Sequence, residues 1–185
     1  GEWHVVIYEV PESERAVREQ LRKQLTWLGF GPLAASTWLS PHDRIDAVLE
    51  WAQGQPAVRI ETLSALSRSI EQDRSYAARC WDLDQIRRDY TGFLEAYGSP
   101  AAVARWRAAR GSDALVERVR IAHDYRLFLF QDPRLPAHLL PADWPADRAA
   151  ALFSEAFGHL DAEATAAYRA LARSAVPGAK FETPA

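Results

Sequence analysis

Arginine and aromatic residues recur together in the middle of this sequence, in a pattern able to grip a phosphorylated ligand. Arg79, Arg87 and Arg88 lie near Trp81 and Tyr90, and Arg118 and Arg126 share a predicted helix with Tyr125. A guanidinium holds a phosphate through two parallel hydrogen bonds, and an aromatic ring stacks on a nucleotide base. Together these residues would suit a coenzyme A thioester or a similar anion. A plainer reading stands beside that one: the same arginines pair with Asp82, Asp84, Asp89 and Asp124 and staple helices together. Arg105-Trp106-Arg107 is equally ambiguous, and by default it reads as a basic exposed turn.

Other chemistries find little support. The histidines are His4, His42, His123, His138 and His159, and no two are spaced to share a helical face. With Cys80 as the only cysteine, there is no zinc-type ligand set, and none of these residues is assigned to a metal. Cys80 itself reads as a small half-buried apolar residue. No phosphate-cradling loop, dinucleotide turn or nucleophile elbow occurs. Ser40 before Pro41-His42-Asp43 fits a helix cap better than a nucleophile. Glu9 could carry a divalent ion only if two chains brought a pair together; a solvated acid at a strand end is the simpler reading. No catalytic residue and no cofactor is expected, so the chain reads as a non-enzyme.

Composition agrees with a folded, non-membrane chain. Hydrophobic residues make up 48% and there are seven Trp, which says globular. No apolar run reaches the roughly 18–20 residues of a membrane span, and a single cysteine suits a reducing cytosol. The net charge of −3 is uneven: −3 over residues 1–66, +2 over 67–130 and −2 over 131–185. A mildly basic middle can attract an anion but is too weak for general nucleic-acid binding. There is no Met, and the chain opens on Gly-Glu directly before a strand, so it reads as a fragment lacking an N-terminal part.

The elements that must position these residues begin with Trp3–Val10, a run of aromatic and β-branched residues closed by Pro11. Trp3, Val5 and Ile7 point to one side, and His4, Val6 and Tyr8 to the other. Ser13–Leu28 has helical spacing and stops at Gly29. Leu33–Leu39 is extended, broken near Ala34–Ala35. Ser40–Asp43 starts a helix ended by Gly54, and Val58–Leu63 is the last strand. This is the split β-α-β plan of a ferredoxin-like domain, expected over 1–66. Two helices cover one sheet face only, so His4, Val6 and Tyr8 are expected to form a dimer surface.

From Asp73 onward the pattern is helical, giving a second domain, a helical bundle, over 67–185. The fold class is therefore α+β. Asp82-Leu83-Asp84-Gln85 is a capping box ahead of a seam at Leu83, Ile86, Tyr90, Phe93, Leu94 and Tyr97. A helix through Arg110 stops at Gly111, and another runs to about Phe130, its apolar end Tyr125–Phe130 expected to be buried. A stiff strap from Asp132 to Pro145 follows. Two alanine-rich helices, about 147–157 and 161–174, precede a Pro-Gly tail.

Several of these stretches resemble one family. Trp3–Pro11 with Glu12, Leu28-Gly29-Phe30-Gly31 and Thr37-Trp38-Leu39-Ser40-Pro41 resemble the central domain of the PaaX-type repressors of phenylacetic acid catabolism. Trp81-Asp82-Leu83, Phe130-Gln131-Asp132-Pro133-Arg134-Leu135-Pro136 and Leu139-Leu140-Pro141-Ala142-Asp143-Trp144-Pro145 resemble their C-terminal domain. The resemblance implies a transcriptional regulator built from an N-terminal winged helix, a central domain similar to a small CRISPR-associated nuclease subunit, and a helical C-terminal domain. It also implies a homodimer released from operator DNA by phenylacetyl-CoA. This chain starts where the central domain starts, so DNA contact is expected only through an absent N-terminal domain. The nuclease-like relatives carry Asp where Glu9 stands here, which argues against cleavage.

The expectation is thus the dimerising and effector-sensing part of a PaaX-like repressor, cytoplasmic and non-catalytic, with no membrane partner. An acyl-CoA effector such as phenylacetyl-CoA would bind Arg79, Trp81, Arg87, Arg88, Tyr90, Arg118 and Arg126. The alternatives are an oligomerisation module without ligand and a metal-dependent nuclease using Glu9.

Overall fold

β1 (Glu2–Glu9) is paired along both edges, and the rest of the first half is arranged around it. The computed structural model describes residues 1–175. A short 3-10 turn at Glu12–Glu14 leads into α1 (Arg15–Trp27). The chain returns through β2 (Gly31–Ala34) and β3 (Thr37–Ser40), then α2 (Ile45–Gln53) and β4 (Arg59–Leu66). Sheet order is β2-β3-β1-β4, and every pairing is antiparallel. That is the expected α+β, ferredoxin-like plan. The predicted break near Ala34 is a hairpin whose register shifts between Pro32 and Ala34.

The two faces of β1 are covered differently from the sequence expectation. Val6 and Tyr8 lie beneath α1 and α2, in a core with Val10, Leu21, Leu25, Phe30, Trp38 and Val48. Val6 is 0% exposed and Tyr8 4%, and the half-buried His4 faces Ser64 Oγ at 3.4 Å. The dimer surface expected at His4, Val6 and Tyr8 is therefore closed by the chain's own helices.

The opposite face is covered around Trp3 and Val5, while Ile7 and Leu63 stay exposed on it. Trp3, Val5 and Leu39 pack against Ala77 and Cys80 of α3 (Ile70–Cys80) and against Leu135 and Leu139 of the proline-rich strap. The first two helices thus cover the face of Val6 and Tyr8, for which a second subunit or the rest of the chain was expected, and a third helix and a strap cover Trp3 and Val5. β2 approaches α3 so closely that a Cβ on Gly31 would stand 2.6 Å from Cys80 Cβ and 2.7 Å from Cys80 O.

Contacts divide the chain into two compact units, Gly1–Ile86 with Phe130–Asp143, and Arg87–Leu129 with the chain from Trp144 onward. α3 and the strap, placed by sequence with the helical half, belong to the sheet's unit. The second unit holds most of α4 (Leu83–Gly98), together with α5 (Pro100–Ala108), α6 (Gly111–Arg126) and α8 (Ala146–Ala175). A short α7 (Phe128–Gln131) follows α6.

Local chemistry explains several boundaries. Asp82 Oδ1 accepts from the Gln85 N–H at 2.9 Å, as a capping box requires. Ile86, Tyr90, Phe93 and Tyr97 of the predicted seam are buried. Ser40 ends β3 instead of capping a helix: its Oγ accepts from His42 N at 3.0 Å, and α2 begins later, where Asp43 Oδ1 accepts from Ile45 N at 3.2 Å. Gly111 opens α6 with a positive φ of 52°, and the two alanine-rich helices are one, continuous through the exposed Gly158. Arg105-Trp106-Arg107 is no exposed turn: Trp106 is 1% exposed and donates to Tyr97 O at 3.0 Å. In Tyr125–Phe130 the prediction of general burial fails, because Leu127, Leu129 and Phe130 are exposed and Phe128 is buried. The Pro-Gly tail lies outside the described residues.

Candidate functional site

Of the residues expected to bind an effector, Arg79 and Trp81 come together. Arg79 stands exposed in the last turn of α3, and Trp81 follows as the residue that ends it. Both line a cleft of about 400 Å³ with Asp82, Leu83, Asp84 and Pro141. Trp81 is half-buried and stacks on Trp3, centroids 6.3 Å apart, so part of its ring is committed to the fold. Cys80 shares the wall, but burial pushes its thiol up to about 11, with Arg79 opposing the rise. A thiol held protonated is no nucleophile at neutral pH. Arg79 shares this cleft with two carboxylates, Asp82 and Asp84.

Arg87, Arg88, Tyr90, Arg118 and Arg126 belong to the helical unit. Tyr90 is 5% exposed, stacked on Phe128 at 4.0 Å with Trp144 at its edge, 6.3 Å away. It presents no free face to a base, which corrects its assignment as a stacking residue. The Arg87 guanidinium lies 5.8 Å from the Trp144 ring. Arg118 is bound to Asp161 at 2.5 Å and lies 4.0 Å over Phe157. That contact staples α6 to α8 through a carboxylate outside the predicted set. Asp124, predicted as an arginine partner, accepts instead from Tyr97 at 2.5 Å. Arg88 and Arg126 stand exposed on their helices.

A larger cleft, about 540 Å³, opens where the end of β1 meets the β2–β3 hairpin and α1. Arg18 and Arg22, one turn apart on α1, share it with Glu9, Glu12, Tyr8 and Trp38. Arg18 is already engaged: it donates to Val10 O at 3.1 Å, Pro11 O at 3.3 Å and Glu12 at 3.1 Å. Tyr8 donates to Ala35 O at 3.2 Å, and the Trp38 indole N–H is buried without a partner among the described residues. Here two cations and two carboxylates balance. This place is not among the expected sites, because it lies on the polar side of α1, away from the apolar stripe that marks the helix in the sequence. The signal available was Arg18 and Arg22 at four-residue spacing beyond Pro11.

Glu9 is solvated at the strand end, 3.9 Å from Arg59. Among the described residues no three His, Cys, Asp or Glu side chains are grouped to hold a metal ion. No described helix is long and apolar enough to cross a membrane.

Residues 1–77 match the family described as the PaaX protein central Cas2-like domain, and residues 81–170 match the PaaX-like protein C-terminal domain. The chain belongs to the PaaX family. Its sequence is 26% identical over 150 residues to the transcriptional repressor PaaX of Escherichia coli (strain K12), covering 78% of this chain and 47% of that protein. The chain thus spans about half the length of this PaaX relative. In fold it resembles the uncharacterized protein Rv0674 from Mycobacterium tuberculosis, with TM-score 0.62 and 22% identity over 91% of this chain and 64% of that one. The first match ends within α3 and the second begins at Trp81, just before Asp82 caps α4.

Proposed function

We propose that this chain is the dimerising and effector-sensing portion of a PaaX-type transcriptional repressor and performs no catalysis. The observation that carries the reading is the succession of two PaaX domain matches, 1–77 and 81–170, along one chain. A repressor's work is binding, and neither cleft described above holds an activated nucleophile. The protein acts in the cytoplasm as a homodimer, and operator DNA is contacted through a domain outside these residues.

The effector is an acyl-CoA such as phenylacetyl-CoA. In the cleft of the sheet-bearing unit Arg79 engages its phosphates and the open part of Trp81 packs on its apolar portion; within the helical unit Arg87 and Arg118 fix the helices that carry the exposed Arg88 and Arg126. By binding one arrangement of the subunits better than another, the effector shifts the repressor away from its operator. Calorimetry of this chain with phenylacetyl-CoA, benzoyl-CoA and free coenzyme A tests the binding step, and operator titration of the whole repressor tests release. Binding that weakens in Arg79→Ala supports the site; no heat and no thermal shift with any thioester overturns it.

A second reading is an oligomerisation module without ligand. The burial of Tyr90 and the Asp161 partner of Arg118 favour it, since both side chains are used in internal packing. It expects subunit association with no response to any coenzyme A ester.

A further inference from the structure

We infer that the outer edge of β4 pairs with the same edge of a second copy of this chain, antiparallel and centred on Leu63, so that two four-stranded sheets become one. The inference rests on the homodimer reading above and names its surface.

The sheet has two edges, and they are built differently. β2, at one end, is short, carries Pro32 and is irregular in its pairing with β3. Proline and irregular register are devices that keep an edge strand from recruiting another chain. β4, at the other end, follows β1 without interruption from Arg59 opposite Glu9 to Leu66 opposite Glu2. It contains no Pro and no Lys, and its outer edge has no strand beside it among the described residues. Leu63 is 46% exposed and Leu66 80%, while Ile7, next to Leu63 on the same face, is 38% exposed. A long, regular strand edge flanked by bare leucines is an association surface.

Symmetry selects the partner and the register. A two-fold axis normal to the sheet keeps each side chain on its own face, so pairing must be centred on a residue. Centred on Leu63, the strand sets Leu63 against itself, Ile60 against Leu66, Thr62 against Ser64 and Glu61 against Ala65. Apolar meets apolar, hydroxyl meets hydroxyl, and no like charges face each other. A shift to Thr62 places the Glu61 carboxylate against Leu63; a shift to Glu61 sets that carboxylate against its own copy. The strand is self-complementary, in charge and in apolar contact, in the register that covers its exposed leucines. A second copy is therefore the occupant.

The test uses the whole chain. Sedimentation measures its association, and single cysteines at Leu63 or Thr62 report the register under mild oxidation, with Cys80 buried away from the surface. Directly opposed strand residues are about 4.5–5.5 Å apart between Cα atoms, which a disulfide spans. The expected result is a dimer that Leu63→Cys locks covalently and Thr62→Cys does not, and that Leu63→Lys converts to a monomer with an unchanged circular dichroism spectrum. A dimer indifferent to Leu63→Lys and unlinked by Leu63→Cys overturns the β4 surface while the homodimer stands. Linkage through Thr62→Cys overturns the register. A monomer at every concentration overturns the surface and the homodimer together.

Discussion

Trp3 Nε1 donates to Asp73 Oδ1 at 2.5 Å, tying β1 to α3 across 70 residues of chain. The Gly1 nitrogen donates to the other carboxylate oxygen at 2.7 Å, and Asp73 is 2% exposed. This cluster fixes α3 over the sheet face that the first two helices leave bare. It also helps to bury Trp3 and Val5 of β1 within one chain.

Asp73→Ala is expected to destabilise the sheet-bearing unit by about 1–3 kcal/mol, because it leaves a buried indole N–H without an acceptor. Urea denaturation followed by Trp fluorescence measures it. Burial by itself would raise the Asp73 pKa, but hydrogen bonds from the Gly1 nitrogen, Ser67 and Trp3 outweigh it and hold the carboxyl below its ordinary value. The stability this contributes is present above the unfolded-state pKa, about 3.9, and is lost as pH falls through the lower folded value. Melting temperature should therefore fall more steeply below about pH 4 in the unaltered protein than in Asp73→Asn.

Gly31→Ala and Gly92→Ala should move stability in opposite directions. At Gly31 the new methyl meets the Cys80 backbone oxygen at 2.7 Å and Trp81 Cε2 at 2.7 Å, and the backbone oxygen cannot yield without moving α3. Overpacking of this kind costs about 1–3 kcal/mol. Gly92 is exposed within α4 with nothing inside 4 Å of a Cβ, so alanine there stabilises by about 0.5–1 kcal/mol. Thermal unfolding of the two variants beside the parent decides it.

Tyr97→Phe should cost about 1–2 kcal/mol and change the alkaline limb of stability. Burial first, and the hydrogen bond to Asp124 second, push the Tyr97 phenol above its ordinary range. A raised folded value contributes stability that is complete below the unfolded pKa of about 10 and is lost as pH climbs toward the folded one. The unaltered protein should lose stability above about pH 10 more steeply than Tyr97→Phe. Phenolate absorbance should show one fewer late-titrating tyrosine in the variant.

Much of the first half could be read from the residues in order. Alternation in Trp3–Val10, the Leu21 and Leu25 stripe and the break at Ala34 are local signals, and they led to the strand and helix order found. The capping box at Asp82 was legible for the same reason, since donor and acceptor lie three residues apart. The candidate site was legible only in part. Arg79 and Trp81 are near neighbours in sequence and share a cleft, whereas Tyr90 and Arg118 are engaged by Phe128 and Asp161, which proximity in sequence does not reveal.

What the amino-acid order determined by itself was periodicity, caps and turns, and through its fixed motifs the PaaX family, because these depend on side chains a few residues apart. Only the tertiary structure decided which element covers which face. Trp3 finds Asp73, Val5 and Leu39 find Leu135, and β4 has no further strand beside it among the described residues, because burial is settled by chain segments that meet after folding and no local spacing encodes those meetings.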